Sequence, residues 1–294
     1  MRFEPNAFQG RTAFVTGGGT GLGLAVSRRL GGLGARVAVA SRDVTHHREL
    51  LDLGQREGFA VLSLAMDVRR PDEVRTAMRA TADRFGGLDV LVNNAAGNFV
   101  RPALRLAPKA FSTVIDIALN GVFTCSREAA RLMKTGGAIV NVSAPYAATG
   151  KPGVVHSACA KAGVESMTRT LAAEWAPLGI RVNAVSPGPF ESVGAADRLW
   201  PSPEVEEAVR RQIPLGRFGT AEEVADLIAW LASDGAGWVT GAVWLIDGGW
   251  SMPSGFVPGV ARLDRRRRGT AADGAPGEVG GGGGGGREDD DASA

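Results

Sequence analysis

The chain has 294 residues, 44% of them hydrophobic, with 33 Lys and Arg against 31 Asp and Glu and a net charge of +2. That balance sets up no field that would draw nucleic acid, no apolar run reaches the roughly 18 residues of a membrane helix, and two cysteines cannot build a disulfide framework, a zinc ribbon or an iron–sulfur site. With three histidines no dedicated metal site is expected, and the opening MRFEPNAFQG lacks a charged region followed by an apolar stretch, so a cytoplasmic location without a secretory signal is expected.

Short β-rich runs then alternate with helical stretches along the chain. Strands are predicted at residues 12–16, 36–40, 60–65, 89–92, 138–142, 181–185 and 242–246. Helices are predicted at 23–33, 71–85, 108–133, 156–176 and 221–233. The strands read as continuous apolar runs, the pattern of strands covered on both faces. This alternation, with no internal repeat, predicts an α/β fold: one domain over residues 1–257, built on a Rossmann-type doubly wound parallel sheet of about seven strands. Past residue 258 the apolar pattern stops. Arginines fill 265–268, glycines fill 280–286, and the chain ends in REDDDASA. Such a segment buries too little apolar surface to offset its ordering entropy, so residues 258–294 are expected to form a disordered tail. Acidic residues in the same tail balance its arginines, which favours a solvated run over a phosphate or membrane patch.

The first predicted strand runs straight into GGGTGLG and then a helix. Gly17, Gly21 and Gly23 carry the spacing, with Thr20 and Leu22 between them. Residues without a Cβ let backbone N–H groups approach a pyrophosphate, and the helix start adds its positive dipole end. A lone glycine motif is a weak signal; its place between a strand and a helix gives it meaning. The second strand ends in Ser41 and Arg42. An NAD enzyme usually has an acidic residue there for the ribose 2′-hydroxyl. A hydroxyl and a guanidinium suit a 2′-phosphate instead, so the expected cofactor is NADPH. Asp67 and Val68 would lie near the adenine, and Asn93 and the residues after it would wall the adjacent ribose.

TGGGTGLG, NNAAG, Lys161 and SPGP at residues 186–189 together resemble the short-chain dehydrogenase/reductase family, over about residues 8–250. That family carries Tyr-x-x-x-Lys, a Ser thirteen residues before the Tyr, and an Asn on an earlier helix. Lys161 and Asn120 match the lysine and the asparagine. Ser157 stands where the tyrosine would be, and Ala144 where the serine would be. The only tyrosine, Tyr146, lies eleven residues before Ser157. With NNAAGNF at residues 93–99, this spacing resembles one branch of the family, the NADPH-dependent 2,4-dienoyl-CoA reductases.

That resemblance implies catalytic roles for Tyr146, Lys161 and Asn98, and a small polar contact or a plain helix-face position for Ser157. Lys161 would also hold the nicotinamide ribose and lower the pKa of the phenol. Arg69, Phe99 and Arg198 would touch the CoA ester, and Pro187, Gly188, Pro189 and Phe190 would back the nicotinamide, with Phe190 where an aliphatic residue is more usual. A homotetramer acting on acyl-CoA in the breakdown of unsaturated fatty acids follows by the same analogy. The chemistry is consistent with a moved proton donor. In carbonyl reduction the proton goes one bond from the hydride. In a 2,4-dienoyl thioester the hydride goes to the δ carbon and charge appears on an oxygen five bonds away. Residues 191–212, rich in Pro and Glu, read as a flexible lid. His46 and His47 read as surface residues, and His156 cannot face Ser157 from the adjacent helix position. Reduction of a ketone, oxidation of an alcohol, and nucleotide binding without catalysis remain the competing functions.

Overall fold

The computed structural model describes residues 3–4, 6–191 and 202–252. The predicted tail 258–294 and Arg198 lie outside the described residues. Residues Met1–Ser251 form one compact unit. Its seven strands are β1 (Thr12–Thr16), β2 (Arg36–Ser41), β3 (Val61–Ala65), β4 (Val90–Asn93), β5 (Gly137–Val142), β6 (Ile180–Pro187) and β7 (Val243–Ile246). They pair in the order β3-β2-β1-β4-β5-β6-β7, every pair parallel. The winding direction reverses between β1 and β4, and a crevice opens at such a switch point beyond the strands' carboxyl ends.

Apolar runs form these strands because both faces are covered. In β1, every residue is buried. Ala13 and Val15 pack into a core with Val37, Val39, Leu30 and Ile228, while Phe14 packs into a second core with Ala38, Met78, Leu91 and Ile139. This is the two-residue alternation of a strand placed between two helical layers. One layer holds α1 (Gly21–Gly32) and the other α3 (Pro71–Phe85).

Three departures from the sequence reading matter for the site. A helix α2 (Arg48–Glu57) fills the gap before β3, anchored by buried Leu50 and Leu53. The predicted helix 108–133 forms without a gap to Ala130, but α4 (Pro108–Ile115) and α5 (Gly121–Ala130) are joined through a π-helical turn at Asp116–Asn120. Such turns mark places where helical register is adjusted. Here Asn120 Nδ2 donates back to Asp116 Oδ1 at 2.9 Å, and a Cβ on Gly121 would come within 2.9 Å of Val68. After the short α6 (Tyr146–Thr149) and the long α7 (Val155–Trp175), the stretch read as a flexible lid contains a helix, α8 (Pro203–Gln212), capped by Ser202. Ser202 and Pro203 together supply an N-cap and a pre-set first turn, so part of that stretch is regular structure. Helix α9 (Ala221–Ala232) follows, held by a capping box between Thr220 and Glu223. No helix among the described residues is long and apolar enough to cross a membrane.

Candidate active site

A cleft of about 980 Å³ opens at the carboxyl ends of β1 to β4. Gly17, Thr20, Gly21, Leu22 and Gly23 line one wall, Ser41, Arg42, Asp67, Val68 and Arg69 another, and Asn98 stands at its far end. The glycine loop is tight. A Cβ on Gly23 would lie 2.0 Å from the Gly17 carbonyl oxygen, and Gly21 has φ +51°, a region open to glycine at no steric cost. Thr20 is extended and makes no side-chain cap. The first amides of α1 are therefore without the side-chain acceptor that usually satisfies them, which leaves them for an anionic ligand. This cradle fits the diphosphate of a dinucleotide.

At the end of β2, Arg42 makes no ion pair or hydrogen bond among the described residues, so its guanidinium is available to an anion. Ser41 Oγ donates to the Asp43 carbonyl at 2.8 Å and sits 2.8 Å from His47 Nε2. His47 is not on the surface. It is fully buried, and only His46 of the pair is exposed. Asp67 lines the cleft with Arg69, whose guanidinium grips the Asp67 carboxylate as a fork. That bond holds Asp67 below the usual carboxylate range, and it engages Arg69 within the chain.

Asn93 does not line the cleft. Its side chain is buried and donates to Asn141 Oδ1 at 2.8 Å and Ser126 Oγ at 2.9 Å. The next residue takes the wall position. Asn94 Nδ2 donates to the carbonyls of Thr16 and Gly17, both at 3.1 Å, and Thr16 Oγ1 accepts from the amides of Asn94 and Ala95. Neither this clamp nor the His47 environment is marked by any motif; only the NNAAG run points at the neighbourhood. Pro187 ends β6, and Gly188 is pressed so close to Asp247 that a Cβ would meet it at 2.4 Å. Pro189 and Phe190 follow, with Phe190 bridged to Gly219. These four are not lining residues of the cleft, whereas Glu191, Thr220 and Glu222 are.

Helices α6 and α7 bring the catalytic candidates together. Tyr146 opens α6, and Ser157 and Lys161 lie one turn apart on α7. The Tyr146 hydroxyl is 3.0 Å from Ser157 Oγ and accepts from Asn98 Nδ2 at 3.2 Å. Asn98 thereby joins this cluster to the cleft. Its own Oδ1 accepts from the Phe99 amide at 2.9 Å, and the Phe99 ring stacks on buried His156 with centroids 4.4 Å apart. Lys161 is buried and donates from Nζ to the Val142 carbonyl. Burial pulls its pKa down to about 8. Tyr146 departs from the sequence expectation: its pKa is raised, because burial outweighs the hydrogen bond from Ser157, and the Lys161 ammonium faces Val142. Asn120 is exposed on the π-helical turn and bonded to Asp116. Among the described residues no group of three His, Cys, Asp or Glu could hold a metal ion.

Residues 17–251 match the family model described as "Enoyl-(Acyl carrier protein) reductase". The chain belongs to the short-chain dehydrogenase/reductase family. It is 43% identical over 251 residues to a Bacillus subtilis protein named "Probable 2,4-dienoyl-CoA reductase [(2E)-enoyl-CoA-producing]", covering 84% of this chain and 99% of that one. It is 38% identical to a Danio rerio protein named "Peroxisomal 2,4-dienoyl-CoA reductase [(3E)-enoyl-CoA-producing]", with 84% and 83% covered. Among solved structures, a short chain dehydrogenase from Bacillus anthracis superposes with a TM-score of 0.74 at 38% identity, over 84% of this chain and 98% of that one. This short-chain dehydrogenase/reductase is an oxidoreductase with a nicotinamide-type cleft.

Proposed function

We propose that this short-chain dehydrogenase/reductase reduces 2,4-dienoyl-CoA thioesters with NADPH, in the breakdown of unsaturated fatty acids. The observation that carries the reading is the hydrogen-bonded cluster of Asn98, Tyr146 and Ser157, set beside Lys161 with a serine in the family's tyrosine position. The names of the relatives support the substrate class. Arg42, which makes no salt bridge among the described residues and only a longer-range electrostatic contact with Asp67, supports, beside Ser41, a 2′-phosphate and so NADPH over NADH.

The glycine loop and the start of α1 would hold the diphosphate, Ser41 and Arg42 the 2′-phosphate, and Lys161 the nicotinamide ribose. When bound, the nicotinamide supplies a hydride to the δ carbon of the dienoyl thioester. Tyr146 and Asn98 then face the oxygen on which the charge collects. Asn98 Nδ2 already donates into the phenol oxygen. If Ser157 donates there too, the phenol proton is left free to point at the thioester oxygen, and two donors stabilise a phenolate should that proton leave. Raised by burial, the phenol stays protonated at neutral pH and is ready to donate. Preorganised donors of this kind are worth about 3–4 kcal/mol each at the transition state. Protonation of the dienolate at the α carbon gives a 3-enoyl product, and protonation at the γ carbon gives a 2-enoyl product. We assign the α carbon, on the reading that Tyr146 faces the thioester oxygen.

The test is NADPH oxidation with 2,4-hexadienoyl-CoA and, separately, with simple ketones. Turnover of the dienoyl thioester alone is expected. Tyr146→Phe is expected to lower kcat at least about 100-fold with little change in KM. Run in D₂O, the reaction should place deuterium on the α carbon of a 3-enoyl thioester. Ketone reduction by a Tyr146→Phe variant of full activity would sink the assignment.

A further inference from the structure

Beneath the 2′ end of the cleft lies a buried imidazole that the reaction above leaves unused. His47 ends the 3₁₀ turn Val44–His47 and is fully buried. Its Nε2 stands 2.8 Å from Ser41 Oγ and its Nδ1 2.7 Å from Ser63 Oγ. Ser63 pairs with Val39 and Ala65 with Ser41, so the pleat puts both hydroxyls on one face of the β2–β3 pair. On its other edge the ring meets the phosphate loop, where a Cβ on Gly19 would come within 2.6 Å of His47 Cδ2. One side chain touches both the residue at the 2′ position and the loop of the diphosphate.

Counting protons fixes the tautomer. Ser41 gives its hydroxyl proton to the Asp43 carbonyl, so its oxygen accepts from His47 Nε2–H. The neutral ring's Nδ1 then accepts from Ser63. A second proton on Nδ1 requires only that the Ser63 hydroxyl rotate and accept. The ring can therefore become charged in place. The charged neighbours acting on it are Asp43 and His46, both on its own turn; β2, β3 and the glycine loop face it with Ser41, Ser63 and Gly19. Burial and His46 outweigh Asp43 and hold the imidazole below its ordinary value. An opposite charge placed a few ångströms away favours the charged form, and a 2′-phosphate on Arg42, with the Ser41 hydroxyl turned from the Asp43 carbonyl to donate to it while still accepting from His47, would be such a charge.

We propose that His47 is a positioning residue that makes cofactor choice proton-linked: it takes up a proton when a 2′-phosphate docks on Ser41, so that preference for NADPH over NADH widens as pH falls. This rests on the NADPH reading of the cleft. By reciprocity, whatever NADPH does to the proton affinity of His47, the proton does to the affinity for NADPH.

The test measures equilibrium binding of NADPH and of NADH by nucleotide fluorescence from pH 8.5 to 6, for the wild type, His47→Gln and Arg42→Ala. Gln keeps an N–H for Ser41 and cannot titrate. The phosphate's own ionisation, near pH 6, is common to all three proteins, so the His47 contribution is the wild-type NADPH/NADH ratio divided by that of His47→Gln. That quotient is expected to rise about 5-fold or more as pH falls. In ¹⁵N spectra of the wild type, NADPH should move the midpoint of the His47 ring upward, and NADH should not. This reading holds even if His47→Gln fails to fold. An NADPH preference with a flat quotient, or a ring midpoint unmoved by NADPH, overturns the role of His47 alone. Equal or tighter NADH binding at every pH, indifferent to Arg42→Ala, overturns the NADPH reading and this proposal with it.

Discussion

Lys161 shows how one residue's environment sets a measurable limit. Its ammonium is buried at the foot of the cluster with the Val142 carbonyl as its acceptor, and burial brings its pKa to about 8. A lysine lowered in this way keeps its charge below about pH 8 and loses it as pH rises through that value. If the charge holds the cofactor's ribose, kcat/KM for NADPH, which reports the free enzyme, should fall on an alkaline limb with a midpoint of about 8. Lys161→Met is expected to be slower at every pH and to lack that limb; a limb that persists in the variant would belong to another group. Much at this scale was legible in the sequence. A single tyrosine leaves one phenol to place, and its spacing to Ser157 and Lys161 singles it out. The direction of its pKa was not legible, because that is set by how deeply the fold buries the phenol. Nor was the burial of His47, since adjacent histidines give no periodicity from which to read an inward face.

At the scale of elements, the strands were readable because most are largely apolar runs between two covering layers, a pattern that survives without knowledge of partners, although β3 carries Ser63 and β6 carries Arg181 and Asn183. The π-helical turn between α4 and α5 was not readable. Its local sequence is helical throughout, and the register shift comes with a tertiary contact, the close approach of Gly121 to Val68. The crevice itself depends on a similar long-range tie. Asn94, just past β4, binds the carbonyls of Thr16 and Gly17 at the end of β1, and Thr16 Oγ1 caps the Asn94 and Ala95 amides in return. Asn94→Ala would strand two carbonyl oxygens, at a cost of about 1–3 kcal/mol. For a domain of this size that is a fall in Tm of about 2–12 °C. NADPH binding should weaken alongside, because Gly17 is the first residue of the phosphate loop. An unchanged Tm together with unchanged NADPH binding would show that backbone pairing of β1 with β4 holds the crevice unaided.

For the whole molecule, the question is how much of the chain the fold and its chemistry require. Each contact invoked above lies within Met1–Ser251, the compact unit that carries both cores and the cleft. Beyond it, residues 258–294 offer a run of arginines, a run of glycines and an acidic end, with few side chains whose burial could repay roughly 1–2 kcal/mol of backbone entropy per ordered residue. A chain ending at Val257 is therefore expected to melt within about 1 °C of the full-length protein, since changes remote from packed or bonded features stay within about 0.5 kcal/mol. Its kcat and KM for 2,4-hexadienoyl-CoA should match as well. If melting is unchanged but KM for the acyl-CoA rises, and the rise shrinks at high salt, the tail arginines contribute to the capture of an anionic substrate. If Tm itself drops by several degrees, the domain boundary read at residue 257 lies too early, and the segment after it packs on the fold.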